Sequence, residues 1–101
     1  MKSRTMSKSE KKRFDKLFDL GCIACLNTMN IYTPPAIHHI EGRTKEGCHK
    51  LTIPLCPNHH QYKSNGSIWV SLHGDGRAAF EKAYGSEMEL LAQVNELINE
   101  N

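Results

Sequence analysis

Two short pairs, Cys22-Ile-Ala-Cys25 and Cys56-Pro-Asn-His59, constrain this chain more than any other feature of its sequence. A tight turn that separates two soft donors by two residues can aim both side chains at one ion, and two such turns complete a closed tetrahedral site. One pair alone is ambiguous with a redox motif. Two pairs about thirty residues apart have zinc-ribbon spacing and predict structural zinc on Cys22, Cys25, Cys56 and His59. The need for such a staple follows from size: a chain of 101 residues buries only about 60 to 70% of the surface it exposes when unfolded, so its core is thin. With 4 Cys and 6 His the staple is either disulfides or a metal. The lack of a secretion-like apolar stretch after the charged start MKSRTMSKSEKKRFDK favours the metal and a cytoplasmic location. Cys48 has no partner two or three residues away. It either displaces His59 as fourth ligand or stays a buried or free thiol, and the completed pairing favours the thiol.

Charge is distributed unevenly. Residues 1–16 carry seven Lys/Arg against two acids, and residues 85–101 carry four Glu and no Lys/Arg. A basic arm beside a neutral or acidic body suits phosphate neutralisation, with Lys2, Arg4, Lys8, Lys11, Lys12 and Arg13 as its contacts, but it suits a solubilising tail equally well. No window approaches the roughly 20 apolar residues of a membrane span. The expected organisation is a basic arm and helix over residues 1–19, followed by a globular unit over 20–101, the whole acting as a monomer.

Local patterns predict an α+β fold. Residues 7–20 form an amphipathic helix capped by Ser7 or Ser9, with Phe14, Leu17 and Phe18 as its apolar stripe and Gly21 as its end. Cys22–Pro35 shows no period and is expected as a loop opening in the CIAC turn. Ala36–Ile40 and Leu51–Leu55 read as strands of a hairpin, the second at an edge or near its end because Pro54 cannot donate to a ladder. A helix beginning at His59 is broken by Ser64-Asn65-Gly66-Ser67. Arg77–Tyr84 makes a short helix, and Ser86 and Glu89 form a capping box for a last helix with Leu90, Leu91, Val94, Leu97 and Ile98 on one face.

His38, His39, His60 and His73 lie outside the zinc pairs, with His49 as a fifth. Adjacent strand residues point to opposite faces, so one histidine of the 38–39 pair can hold a metal while its neighbour reaches a water. Taken singly, a histidine of such an adjacent pair reads first as a half-buried strand residue with satisfied hydrogen bonds. As a group they exceed what packing requires, and the zinc turn fixes His60 relative to the hairpin.

With His38-His39 on a first strand, a second strand, and Cys56-Pro-Asn-His59-His60 turning into a helix, the sequence resembles the HNH endonucleases of the ββα-metal (His-Me finger) class. Within that class, HHIEGRTKEG, LTIPLCPNHHQ, SLHG and AFEKAYGSEMELL are most similar to the phage Ref-type, RecA-dependent nucleases, over roughly residues 20 to 92. The resemblance implies a zinc-stabilised ββα-metal domain with an N-terminal helix and C-terminal helices. It implies that His39 is the general base and that His38 and His60 are ligands of a second, catalytic divalent ion, Zn2+, Mg2+ or Mn2+. The last ligand in many HNH helices stands where this chain has Ser64, and the SLHG segment offers His73 instead. The central Asn expected five residues before the cysteine is Leu51 here, and His49 or Asn58 could take its place only where the backbone differs locally.

These readings converge on a metal-dependent DNA endonuclease of phage or bacterial recombination, acting on DNA with a RecA filament as partner. The alternative is a non-catalytic zinc-dependent DNA-binding or adaptor module. A thiol redox protein built on Cys22 and Cys25 is disfavoured because no βαβ unit accompanies them.

Overall fold

The computed structural model of the chain describes residues 6–100. Its elements run α1 (Lys8–Leu20), α2 (Ile23–Met29), β1 (Ala36–His39), a 3₁₀ turn (Cys48–Lys50), β2 (Thr52–Leu55), α3 (Pro57–His60), α4 (Arg77–Tyr84) and α5 (Glu87–Leu97).

The two strands pair antiparallel, with Ala36 opposite Leu55, Ile37 opposite Pro54, His38 opposite Ile53 and His39 opposite Thr52. All four β2 residues are buried, because α1, α2, α3 and α5 all pack against that strand. Leu17, Ile23, Ile53, Leu55, Phe80, Leu90, Leu91, Val94 and Ile98 form the core around it. Pro54 is tolerated because a two-stranded ribbon leaves each strand one unpaired edge.

Helix α1 begins at Ser7, whose hydroxyl accepts from the Glu10 N–H while the Glu10 carboxylate accepts from the Ser7 N–H. Ser86 and Glu89 repeat that reciprocal cap at the start of α5, as the S-x-x-E pattern predicts.

The fold departs from the sequence-based expectations in three of its elements. Residues 22–35 are not all loop: the CIAC turn winds directly into α2, with the Cys22 sulfur accepting from the Cys25 N–H, and Asn30 ends the helix in the left-handed region at φ 53°. The helix expected from His59 begins earlier, at Pro57, a first-turn position that needs no N–H donor. Leu97 is 49% exposed, because it sits at the margin of the apolar stripe in the last turn of α5.

Candidate metal centres and active site

The two predicted turns meet. Cys22 and Cys25 come from the start of α2, Cys56 and His59 from the start of α3, and all four are buried. At zinc bond lengths of about 2.3 Å to sulfur and about 2.0 Å to nitrogen, tetrahedral angles separate two sulfurs by about 3.8 Å and a sulfur from a nitrogen by about 3.5 Å. The Cys25 and Cys56 sulfurs are 3.8 Å apart. His59 Nδ1 lies 3.6 Å from Cys22 Sγ, 3.5 Å from Cys25 Sγ and 3.1 Å from Cys56 Sγ. These spacings fit a shared ion. Burial pushes the Cys22 thiol up to about 12 and raises Cys56 as well, so thiolates here require a cation to offset their desolvation. The Tyr84 ring packs edge-on to His59, which ties α4 to the cluster. Cys48 is buried elsewhere and does not join it.

A second cluster forms from His38 on β1, His60 at the end of α3 and His73 on the following loop, whose ligand atoms all lie within 4.8 Å of one another. Their ring centroids are 5.0, 5.4 and 4.9 Å apart. Backbone bonds bring in His73: the Leu72 N–H donates to the His59 carbonyl at 2.9 Å and the His73 N–H to the His60 carbonyl at 3.0 Å. Asp75 pins the same loop by accepting from the N–H groups of Ser71 and Ser64 and from the Ser64 hydroxyl, contacts that hold its carboxyl below the usual range. Gly74 permits the approach, since a Cβ there would stand 2.4 Å from the Lys63 nitrogen and 2.7 Å from the Gln61 carbonyl oxygen. The Ser64 hydroxyl is taken up in its bond to Asp75.

His38 Nε2 lies 2.7 Å from Glu87 Oε2, and the other Glu87 oxygen accepts from Arg77 Nε at 2.9 Å. Burial lowers the His38 pKa, with the Glu87 contact opposing it. Burial also lowers His60 to about 4, aided by His38 and His73, so its ring is a neutral donor at physiological pH. His60 Nδ1 is buried and has no hydrogen-bond partner among the described residues. Three converging imidazoles, one with an orphaned nitrogen and one backed by a carboxylate, have the chemistry of a divalent-metal site.

His39 lies apart from this cluster. Its Nε2 is 2.9 Å from His49 Nδ1, and the Phe14 ring meets both imidazoles edge-on at 5.8 and 5.9 Å. Burial lowers the His39 pKa to about 4, with Arg43, His49 and His38 adding to the shift and the Ile37 carbonyl opposing it. His38, His39, His60, His73, Arg43 and Arg77 line one cleft of about 360 Å³. His39, His60 and Arg43 also border an adjoining groove of about 520 Å³ walled by Phe14, Phe18 and Ile37.

A family model described as recombination enhancement, RecA-dependent nuclease matches residues 7–99. The chain belongs to that family. The match bears out the Ref-type resemblance and extends it through α1 and to the end of α5.

In this member of the RecA-dependent nuclease family, Lys8, Lys11 and Lys12 are exposed along α1 and border none of the histidine clefts. Lys2 and Arg4 lie outside the described residues. Arg13 corrects the expected phosphate-contacting set. It is only 2% exposed, and its guanidinium donates to Thr52 Oγ1, the Thr52 carbonyl, Asn95 and Glu100. The reason was legible: Arg13 stands four residues before buried Leu17 and shares its inward face. Glu87 and Arg77 were missed, because an acid in the first turn of a helix and an arginine opening another look like ordinary surface residues. No described helix is long and apolar enough to cross a membrane.

Proposed function

We propose that this nuclease is an HNH-type, metal-dependent endodeoxyribonuclease that hydrolyses phosphodiester bonds in DNA during RecA-linked recombination. The observation that carries the reading is the division of the adjacent pair on β1: His38 joins His60 and His73, while His39 stands free of that cluster yet lines the same cleft. A divalent ion held by His38, His60 and His73 would neutralise charge on the scissile phosphate and on the departing 3′ oxygen. His39, neutral at physiological pH, takes a proton from the attacking water. Arg43 and Arg77 line the cleft and favour an anionic backbone there. Lys8, Lys11 and Lys12 add sequence-independent attraction. Cys22, Cys25, Cys56 and His59 hold structural Zn2+ and fix the hairpin against α3.

A non-catalytic zinc module gives no reason for an orphaned His60 nitrogen beside His38 and His73. The deciding experiment incubates metal-stripped protein, its structural zinc restored, with single-stranded, duplex and RecA-paired DNA while Mg2+, Mn2+ or further Zn2+ is added back. Cleavage on any of them supports the reading, and none on all three sinks it.

A further inference from the structure

We infer that the groove beside the histidine cleft takes an unpaired nucleobase, so that the strand to be cut is single-stranded, or flipped out of its duplex, at the nucleotide flanking the scissile phosphate. The inference deepens the nuclease reading above and rests on it for the position of that phosphate. Phe14 and Phe18 stand four residues apart on α1 and so share a face, and with Ile37 on β1 they wall the groove. Leu17 of the same stripe turns into the core, whereas Phe18 is left 46% exposed. An aromatic ring held open in a concave wall at the edge of a reaction cleft is a stacking surface, and every base has a face to lay on it. At about 520 Å³ the groove lies within the roughly 300 to 1,000 Å³ of small-ligand sites.

Charge and continuity identify the occupant. His39, His60 and Arg43 line both the groove and the cleft, so a phosphate in the cleft has its own nucleoside at the mouth of the groove. Among the described residues no acidic side chain lines either cavity. Arg13 and Arg77 are each paired with a glutamate, but Arg43 has no carboxylate partner among the described residues, and its guanidinium at the junction is available to a phosphate of the strand. A protein segment seated in the groove would block that junction and keep DNA from the histidines. In a paired duplex the bases are stacked inward and only sugar and phosphate would meet the aromatic wall; the wall gains a partner when the base leaves the stack. Gln61, exposed on the same groove, offers both a donor and an acceptor, so the contact need not discriminate among bases.

The test measures binding of the zinc-loaded full chain, with no further metal added, to an oligothymidylate and to an abasic backbone of the same length. The wild type should bind the thymidylate more tightly. Phe18→Ala should weaken thymidylate binding by about five- to hundred-fold and leave abasic binding unchanged. Phe18→Trp, which keeps a stacking face, should retain most of the affinity. Arg43→Gln should weaken both strands alike and lower the slope of log affinity against log salt by about one. Equal losses for Phe18→Ala on the two strands, or no loss on either, overturn the inference. So does a Phe18→Ala protein that binds both strands normally but loses affinity for RecA, which would assign the groove to a protein partner. Failure of the nuclease reading looks different, since the wild type would then cut no DNA with any added ion, whatever the two strands show about binding.

Discussion

At the scale of single residues, the adjacent histidines should fail in different ways. His39→Ala leaves the three clustered imidazoles in place, so second-site metal and DNA binding should persist while cleavage falls by roughly a hundred- to ten-thousand-fold. His38→Ala and His60→Ala remove ligands, so metal affinity should drop and excess ion should partly rescue activity. Metal titration and cleavage rates on the three variants check this, and proportionate loss of fold and activity in all of them would reduce the histidines to packing. Glu87 adds a sharper case. It is buried between His38 and Arg77, and Glu87→Gln keeps the size while removing the charge that supports the imidazole. Second-site metal affinity should weaken by about ten- to hundred-fold with the melting temperature little changed; isothermal titration with Mn2+ or Zn2+ reads it directly.

At the scale of elements, the loop between α3 and α4 delivers His73 without regular secondary structure, so its shape depends on Asp75 and on the missing side chain of Gly74. Gly74→Ala forces the loop off the carbonyls of α3. It should empty the second metal site while sparing the cysteine cluster, a difference visible as loss of one of two bound ions by mass spectrometry under native conditions. The sequence was most informative where chemistry repeats at short range. Both cysteine-bearing turns, the hairpin, Arg77–Tyr84 and the Ser86–Glu89 cap follow from spacing and local hydrogen bonding. The sidedness of His38 and His39 follows from strand alternation alone. What escaped it depends on partners far along the chain. His49 meets His39 only because a 3₁₀ turn precedes β2, and Glu87 meets His38 across 49 positions. Helix α2 was hidden because its period is too short to register over seven residues.

At the scale of the whole molecule, the cysteine cluster joins α2 to α3 and so connects the first third of the chain to the hairpin that bears the site. Chelation, or Cys25→Ser and Cys56→Ser, should abolish cooperative thermal melting, whereas Cys48→Ser should melt like the wild type because Cys48 is outside the cluster. Wild-type zinc content in Cys25→Ser and Cys56→Ser would refute the site. Arg13 forms the second long-range tie. Its guanidinium holds Thr52 across 39 positions, Asn95 across 82 and Glu100 across 87, so a single side chain on α1 is bonded to β2, to α5 and to the residues just beyond it. Breaking such a buried charge, held by four hydrogen bonds, costs several kcal/mol, more than a helix of thirteen residues gains by remaining alone. The first helix and the last turn therefore cannot fray independently of the strand between them. Hydrogen exchange should find the slowest amides of α1, β2 and α5 opening together as one cooperative unit, and the reaction cleft, which rests on that unit, should lose its shape only when the whole domain does.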